Sequence, residues 1–283
     1  MISFELTEPS FDKKKTTEYE LSVLLGADSL SYCIIDKTNR VLSVVKCDFP
    51  EETEDKDYAD RLETIILRNV PLQQSYRIVH LGVFNLSSTL VPTRLYDDTA
   101  KSTYLEKMLP LSGDYEIRVD SLTKVSAEHV YVLEDRVAKV LKTYFGGAEI
   151  IHSATALYKG VRRSSQENTE KCIYLNVRAE ALQVTLFEKG ELIFYNAFTY
   201  TSSKDFIYYV MLIYDQFNLK PDTTPVHLSG ELMEDSEMYH LIYRYIRHLK
   251  LVDVPEWIEL SGQWVNRPQH WFYDLFCMSL MKM

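Results

Sequence analysis

The side chains that could carry chemistry are few in this sequence, and they do not form a recognisable catalytic group. The Asp28-Ser29 and His152-Ser153 pairs are single polar groups without an identifiable partner in the sequence. No GxxxxGK[ST], GxSxG or HExxH pattern occurs. The sequence therefore predicts neither P-loop chemistry, nor an α/β-hydrolase nucleophile, nor a zinc protease site.

Histidines and cysteines are also not grouped as metal ligands. His80 and His227 occupy equivalent positions in two apolar strands, where a histidine satisfied within the sheet is more common than a ligand. The four cysteines are scattered and form no CxxC pair: Cys33, Cys47, Cys172 and Cys277. We expect no metal site and no disulfide framework, and this cysteine usage fits a reducing cytoplasm.

The composition describes a folded, acidic protein. Of its 283 residues, 46% are hydrophobic and 25% are charged, and each half of such a chain can bury its own core. The formal net charge of −10 argues against a non-specific nucleic-acid binder, which needs a basic face. Residues 1–15 lack the apolar core of a signal peptide, and the apolar run Phe206–Tyr214 is far below the roughly 18–20 residues that span a bilayer. We expect a cytoplasmic protein with no nucleic-acid partner and no membrane insertion.

One stretch of the sequence occurs twice. In Lys171–Gly230, three apolar runs separated by turn residues predict three strands, followed by a helix with one apolar face and a further strand. Residues 19–81 predict the same elements in the same order. The two helices align without gaps, and Tyr214 falls on Ile66. A repeat of this length indicates a duplicated domain.

Other elements extend both copies. Outside the repeat we predict helices and strands at Thr93–Met108, Tyr115–Leu122, His129–Leu133, Glu134–Phe145, Ser153–Arg163, Met238–Leu249, Leu251–Val254 and Trp257–Leu260. The polar segment Arg162–Glu170 is the best boundary. The predicted domains are residues 1–165, with inserted elements at about 93–133, and residues 166–283.

The end of the chain predicts a last helix, Pro268–Met281, with proline as its first residue. Its apolar residues surround the helix most of the way. Such a helix is either buried against the second half or exposed as a docking patch for a partner.

Three antiparallel strands, a crossover helix and a parallel strand, all occurring twice, resemble the actin-like ATPase fold of actin, Hsp70 and the sugar kinases. The whole chain also resembles an uncharacterised bacterial family, a domain of unknown function whose fold is actin-like. The resemblance implies an α/β protein with duplicated, ribonuclease H-like mixed sheets and flanking helices. Smaller relatives of that fold act as cytoplasmic scaffolds in type IV pilus and type II secretion assembly.

In that fold, nucleotide lies in the cleft between the halves, and its phosphates meet the first turn of each half, typically Asp-x-Gly-Ser/Thr. Glycine lets backbone N–H groups close on phosphate, and the aspartate positions Mg²⁺ or a water. The resemblance places these turns at residues 26–31 and 176–180, and the adenosine-side turn at residues 228–231.

All three turns depart from the expected pattern. The first turn keeps Asp28 but has Leu30 where glycine is expected, and the second has Asn176 for aspartate and Arg178 for glycine. The adenosine-side turn keeps the single glycine Gly230. The cleft positions that a nucleotide would meet are therefore Asp28, Ser29, Ser31, Asn176, Arg178, Ser229 and Gly230.

These departures favour a non-catalytic protein, a pseudo-ATPase that serves as a cytoplasmic binding or scaffolding component without a cofactor. The alternative is a nucleotide-binding protein or weak ATPase that uses ATP and Mg²⁺ in the same cleft. The expected partner is another protein, which binds through the cleft or through Pro268–Met281.

Overall fold

The computed structural model describes residues 1–49, 57–106, 113–165 and 170–281. The predicted helix end at Met108 lies outside these ranges. By its contacts the chain divides into two compact units: the first is Met1–Ala156, Trp257–Gln263 and Met278–Met283, and the second is Leu157–Glu256 and Trp264–Cys277. The predicted division into domains 1–165 and 166–283 stays a prediction.

The described part of the first unit contains two sheets. Its strands are β1 (Ile2–Thr7), β2 (Glu20–Leu25), β3 (Ser29–Ile35), β4 (Val41–Asp48), β5 (Ile78–Val83), β6 (Ser88–Pro92), β7 (Tyr115–Leu122), β8 (Ala127–Glu134) and β9 (Ile150–His152). The larger sheet has the order β1-β4-β3-β2-β5-β9, and the smaller sheet has the order β6-β8-β7. In the larger sheet, β2, β3 and β4 form the predicted antiparallel meander and β5 runs parallel to β2.

Helices α1 (Tyr58–Arg68) and α3 (Asp135–Phe145) pack on the larger sheet of this unit. Helix α2 (Lys101–Glu106) packs on the smaller sheet, where Leu105 is buried with Val91 and Val130. The carboxylate of Asp57 accepts the N–H of Asp60 at 3.0 Å and caps the start of α1. Leu62 and Ile66 of α1 are buried in one apolar cluster with Leu30 of β3. This packing follows from the apolar helix face that the sequence predicted.

The predicted helix over Thr93–Met108 is wrong in its first half. Thr93–Leu95 and Asp98–Ala100 form two short 3₁₀ turns, and the α-helix begins only at Lys101. The carboxylate of Asp97 accepts the backbone N–H of Thr99 at 2.9 Å and its hydroxyl at 2.7 Å. Such local side-chain bonds offer the backbone an alternative to helical bonding.

The second unit repeats the meander and the crossover. Its elements, after helix α4 (Ser153–Ser164), are β10 (Cys172–Arg178), β11 (Ala181–Glu188), β12 (Glu191–Thr199), α5 (Ser203–Gln216), β13 (Val226–Gly230), α6 (Glu237–Tyr245), β14 (Leu249–Leu251) and α7 (Tyr273–Cys277). The sheet order is β12-β11-β10-β13-β14, in which β10 pairs antiparallel with β11 and parallel with β13. The order β4-β3-β2-β5 of the first unit has the same topology. At the aligned helix positions, Tyr214 is buried like Ile66.

Two predicted elements near the end of the chain are different in the structure. Residues 257–260 contribute only an isolated bridge between Glu259 and Arg40 rather than a strand. The segment Pro268–Met281 is not one helix, because α7 is flanked by 3₁₀ turns at Gln269–Phe272 and Met278–Leu280. Its large apolar side chains from Phe272 to Met278 are buried. The interpretation of this segment as buried is confirmed, and those side chains do not form an exposed docking patch.

Candidate functional site

The first predicted phosphate turn, between β2 and β3, is a tight hairpin. The N–H of Gly26 donates to the carbonyl of Ser29 at 2.8 Å, and Leu25 pairs with Leu30. Leu30, which stands where glycine was expected, is fully buried in the core cluster. Because this side chain packs in the core, it does not fill the space outside the turn.

The polar residues of the first turn bond to one another. Ser29 is buried, and its hydroxyl donates to the carboxylate of the exposed Asp28 at 3.0 Å. Ser31 is also buried, two residues further along β3. Of the three residues predicted for this turn, Asp28 is the one whose side chain is open to solvent.

A tyrosine hydroxyl bonds the backbone of each turn. Tyr58, the first residue of α1, donates to the carbonyl of Gly26 at 2.5 Å. In the second unit, Tyr200 donates to the carbonyl of Arg178 at 2.8 Å. Burial raises the pKa of Tyr200 to about 12, so this hydroxyl keeps its proton at neutral pH. Both turns are therefore fixed from within their own unit.

A cavity of about 600 Å³ lies beside the first turn, inside the size range of small-molecule pockets. It is bounded by Leu25 and Ala27 of the turn, by Val83 at the end of β5, and by the start of α3. Arg136 from α3 lines it and forms ion pairs with Asp57 and with Asp60. The first unit thus has room for a ligand at the carboxyl ends of two parallel strands.

The second predicted phosphate turn, between β10 and β11, carries a buried polar network. Nδ2 of Asn176 donates to Oδ2 of Asp274 at 2.9 Å, and the guanidinium of Arg178 contacts the same oxygen. The other carboxylate oxygen of Asp274 accepts the N–H of Leu275 at 2.7 Å. Asp274 is only 4% exposed. A carboxylate of this chain is therefore already bonded to the amide of Asn176 and to one terminal nitrogen of Arg178.

Further polar side chains complete this network. Nδ2 of Asn176 also donates to Gln183 at 2.8 Å, and Nε2 of Gln183 donates to the hydroxyl of Tyr195 at 3.2 Å. The hydroxyl of Ser229 donates to Oδ1 of Asn176 at 2.9 Å. Asn176, Gln183 and Ser229 are all buried. We infer a satisfied structural network, since buried polar groups are stable only when they are hydrogen-bonded.

Gly230 has a structural reason to be glycine. Its φ is +86°, and a Cβ at this position would lie 2.0 Å from the carbonyl oxygen of Val177. No side chain fits at such a distance. The glycine retained in the adenosine-side turn is therefore required by the packing of β13 against β10, whatever the turn binds.

Asp274 is the site residue that the sequence did not predict. It lies 98 residues from Asn176, in the last part of the chain. The available signal was an acidic residue inside an otherwise strongly apolar segment, from Trp271 to Met278. Because an ionisable side chain is rarely buried without a partner, such a residue predicts a partner without identifying it.

Three histidines of the first unit, His80, His129 and His152, are buried in its two sheets. Nε2 of His80 lies 3.7 Å from the carboxylate of Glu20, which also pairs with Arg77. His152 stacks edge-on against His129 at 4.4 Å between ring centroids. The described ranges contain no group of three or more His, Cys, Asp or Glu that could hold a metal ion.

His152 belongs to a buried cluster that joins the two sheets of the first unit. The backbone N–H of His152 donates to Oδ2 of Asp120 at 2.8 Å, and the hydroxyl of Thr155 donates to the same oxygen at 2.7 Å. The hydroxyl of Tyr131 lies 3.1 Å from the other oxygen of Asp120. Burial raises the pKa of Asp120 to about 6, and burial lowers the pKa of His129 well below its ordinary value. The cluster is closed to solvent and serves packing.

The four cysteines are all free and buried. Burial raises the pKa of each thiol, and it raises that of Cys277 well above its usual value. None of them is therefore a reactive thiolate at neutral pH. Among the residues that the structure describes, no helix has the length and the apolar character needed to cross a membrane.

The meander, crossover helix and parallel strand, present in each unit, define the chain as an actin-like ATPase fold protein. A crystal structure from Bacteroides thetaiotaomicron VPI-5482, described as a protein with actin-like ATPase fold and unknown function, has a TM-score of 0.77 and 19% identity. The match covers 86% of the present chain and 93% of the Bacteroides thetaiotaomicron chain. The PilM-PilN type IV pilus biogenesis complex matches with a TM-score of 0.58 and 14% identity, covering 94% of this chain and 98% of that chain.

The chain belongs to the family described as "Protein of unknown function (DUF3822)", which matches residues 8–249. A sequence search among curated proteins found no match. The family and the fold predicted from the sequence are thus confirmed.

Proposed function

We propose that this protein is a non-catalytic, cytoplasmic binding or scaffolding component, in which an actin-like fold is kept without nucleotide turnover. One observation carries the proposal. The carboxylate of Asp274 accepts from the amide of Asn176 and from one terminal nitrogen of the Arg178 guanidinium, two donors that the second turn would offer to a phosphate. A nucleotide phosphate approaching these donors would meet a buried negative charge.

The charges at the second turn support this proposal. A phosphate group needs positive or N–H donor groups that are not already engaged. Arg178 is nearly buried beside Asp274, with its side chain 11% exposed. Displacing Asp274 would leave a carboxylate in an apolar segment, which is costly. The internal ion pair is thus a more favourable arrangement than phosphate binding.

A protein partner is the natural ligand for such a scaffold. The similar structure of PilM is that of a complex with PilN. By this analogy of fold, we propose that the present chain also binds another protein. The buried residues from Phe272 to Met278 are not the proposed surface, because their side chains are already packed.

The second candidate function is nucleotide binding or weak ATPase activity. The cavity of about 600 Å³ beside the first turn favours it, because Ala27, the residue before Asp28, and the start of α3 line this space. Negative charge is favoured near a helix N-terminus. In that case Asp28 would orient Mg²⁺ or water, as the resemblance implies.

ATP hydrolysis separates the two functions. The assay compares the wild-type chain with Asp28→Ala, which removes an exposed side chain and should leave the fold intact. We expect phosphate release from Mg-ATP at the same background rate in both proteins. Hydrolysis by the wild type that is lost in Asp28→Ala would contradict the non-catalytic proposal and support the weak ATPase.

A further inference from the structure

A second polar cavity, of about 440 Å³, lies in the second unit, away from the turns considered above. Its floor is part of the sheet, and its walls come from the end of α4, from α7 and from the segment after β14. Such a volume is within the range of pockets that hold small molecules. Neither the proposed scaffolding role nor nucleotide binding uses this cavity.

The floor of this cavity is a row of three side chains on adjacent parallel strands. Tyr174 of β10 is in register with His227 of β13, which is in register with Lys250 of β14. Their strand neighbours Ile173 and Val226 belong to the apolar core with α5 and α6. Because side chains alternate between the faces of a sheet, the row lies on the opposite face.

The row combines a flat aromatic surface with a charge. The rings of Tyr174 and His227 are stacked, with 4.8 Å between their centroids and 16° between their planes. Lys250 stands beside them on the outer strand of this sheet. The ring nitrogens of His227 make no hydrogen bond within the described part of the chain. They are available to a ligand in the cavity.

The rim of the cavity carries two exposed ion pairs. Nζ of Lys250 lies 2.7 Å from Asp253, and Nε of Arg163 lies 3.5 Å from Glu256. Both carboxylates are mostly exposed, at 81% and 73% of their side-chain surface. Exposed ion pairs of this kind are weak and exchange readily with other anions. The two cations can therefore turn from the rim carboxylates to a bound anion.

Apolar and hydroxyl groups complete the walls. Val252, Val254 and Pro255 line the side that follows β14. The opposite wall contains Ser164 and Tyr273, whose hydroxyl oxygens are 3.1 Å apart. The cavity thus offers apolar contacts as well as cations, which suits a ligand with a charged end and an uncharged body.

We propose that this cavity binds a small organic anion, with its carboxylate or phosphate between Lys250 and Arg163 and its uncharged body against Tyr174 and His227. Burial and the nearby Lys250 lower the pKa of His227, so its imidazole is neutral at pH 7 and can donate to or accept from the ligand. The charged groups around it are Arg163, Lys250, Asp253 and Glu256. Binding here does not depend on whether the first unit holds nucleotide.

The test uses three probes of similar size: benzoate, phenyl phosphate and the neutral analogue benzyl alcohol. Calorimetric titration of the full chain should detect saturable binding of at least one of the two anions and none of the alcohol. A preference for benzoate or for phenyl phosphate distinguishes a carboxylate ligand from a phosphate ligand. Absence of saturable binding of both anions, or equal binding of the alcohol, would overturn the proposal.

Three variants locate the binding. Lys250→Ala should lower the affinity for the anion about fivefold, since one partly exposed charge contact is removed. Asp253→Asn should raise the affinity, because the carboxylate that competes for Lys250 is lost. Lys204→Ala, a control that removes an exposed lysine of α5, should leave the affinity unchanged. Equal effects of Lys250→Ala and Lys204→Ala, or weaker binding by Asp253→Asn, would place the anion elsewhere and contradict the proposal.

Discussion

Asn176 and Asp274, which are 98 residues apart in the sequence, are joined by a hydrogen bond of 2.9 Å between Nδ2 and Oδ2. Arg178 contacts the same carboxylate oxygen. The second turn is thereby bonded to the last α-helix of its own unit. The turn that the sequence predicts to meet a phosphate is here part of a buried polar network.

The carboxylate of Asp274 should be important for stability. Asp274→Asn removes the negative charge that faces the nearly buried Arg178, and breaking a buried ion pair on one side costs about 3–5 kcal/mol. We expect the free energy of unfolding in urea to fall by about that amount. The matched control is Glu191→Gln, which breaks the more exposed pair with Arg162 and should cost about 0–1 kcal/mol. Equal losses in the two variants would contradict the role assigned to Asp274.

Gly230 should not tolerate a side chain. Gly230→Ala places a Cβ against the carbonyl of Val177 at a residue whose φ is +86°, and we expect a loss of more than about 2 kcal/mol. Gly147→Ala is the control, because an added Cβ there has no atom within 4 Å. Its stability should be unchanged or up to about 1 kcal/mol higher. Urea unfolding measures both, and a tolerated Gly230→Ala would show that packing does not require the glycine.

The buried carboxyl of Asp120 should make stability depend on pH. Its pKa is raised from an ordinary 3.8 to about 6, so protonation favours the folded state. This contribution to the free energy of unfolding is complete below about pH 4 and is lost as the pH rises through about 6. It amounts to about 1.4 kcal/mol for each unit by which the pKa is raised. Relative to Asp120→Asn, the wild type should therefore be less stable at pH 7 than at pH 4. Urea unfolding at both pH values measures the difference.

A control with the opposite sign is available in α5. The pKa of Asp205 is lowered by hydrogen bonds from Thr201 and Ser202, so its contribution is lost as the pH falls through the lowered pKa. At neutral pH Asp205→Asn should therefore be less stable than the wild type, and at low pH this difference in stability should disappear. If the difference between wild type and Asp120→Asn did not change with pH, the raised pKa of Asp120 would be wrong.

Periodicity was sufficient to predict the repeated part of the fold. The alternating apolar residues of the meanders and the apolar faces of α1 and α5 are local patterns that reflect burial directly. The equivalence of Ile66 and Tyr214 follows, because both lie on the buried faces of helices with the same place in each unit. Local chemistry overrode the pattern where Asp97 bonds to Thr99 and divides the predicted helix.

The candidate site was predictable only in part. The positions of both turns follow from the order of the strands, and Asp28 is exposed in the structure. The partners of Asn176 and Arg178 could not be predicted, because the contact with Asp274 joins segments far apart in the sequence. The row of Tyr174, His227 and Lys250 depends on strand register, which the sequence pattern does not specify between parallel strands.

The most direct test of the account is the melting temperature of the wild-type chain in increasing concentrations of Mg-ATP. A nucleotide that binds the folded state at a hundredfold excess over its dissociation constant adds about 2.7 kcal/mol of stability. Because Asp274 already engages the donors of the second turn, we predict no shift up to millimolar Mg-ATP. A saturable rise in the melting temperature that Asp28→Ala abolishes would contradict the account.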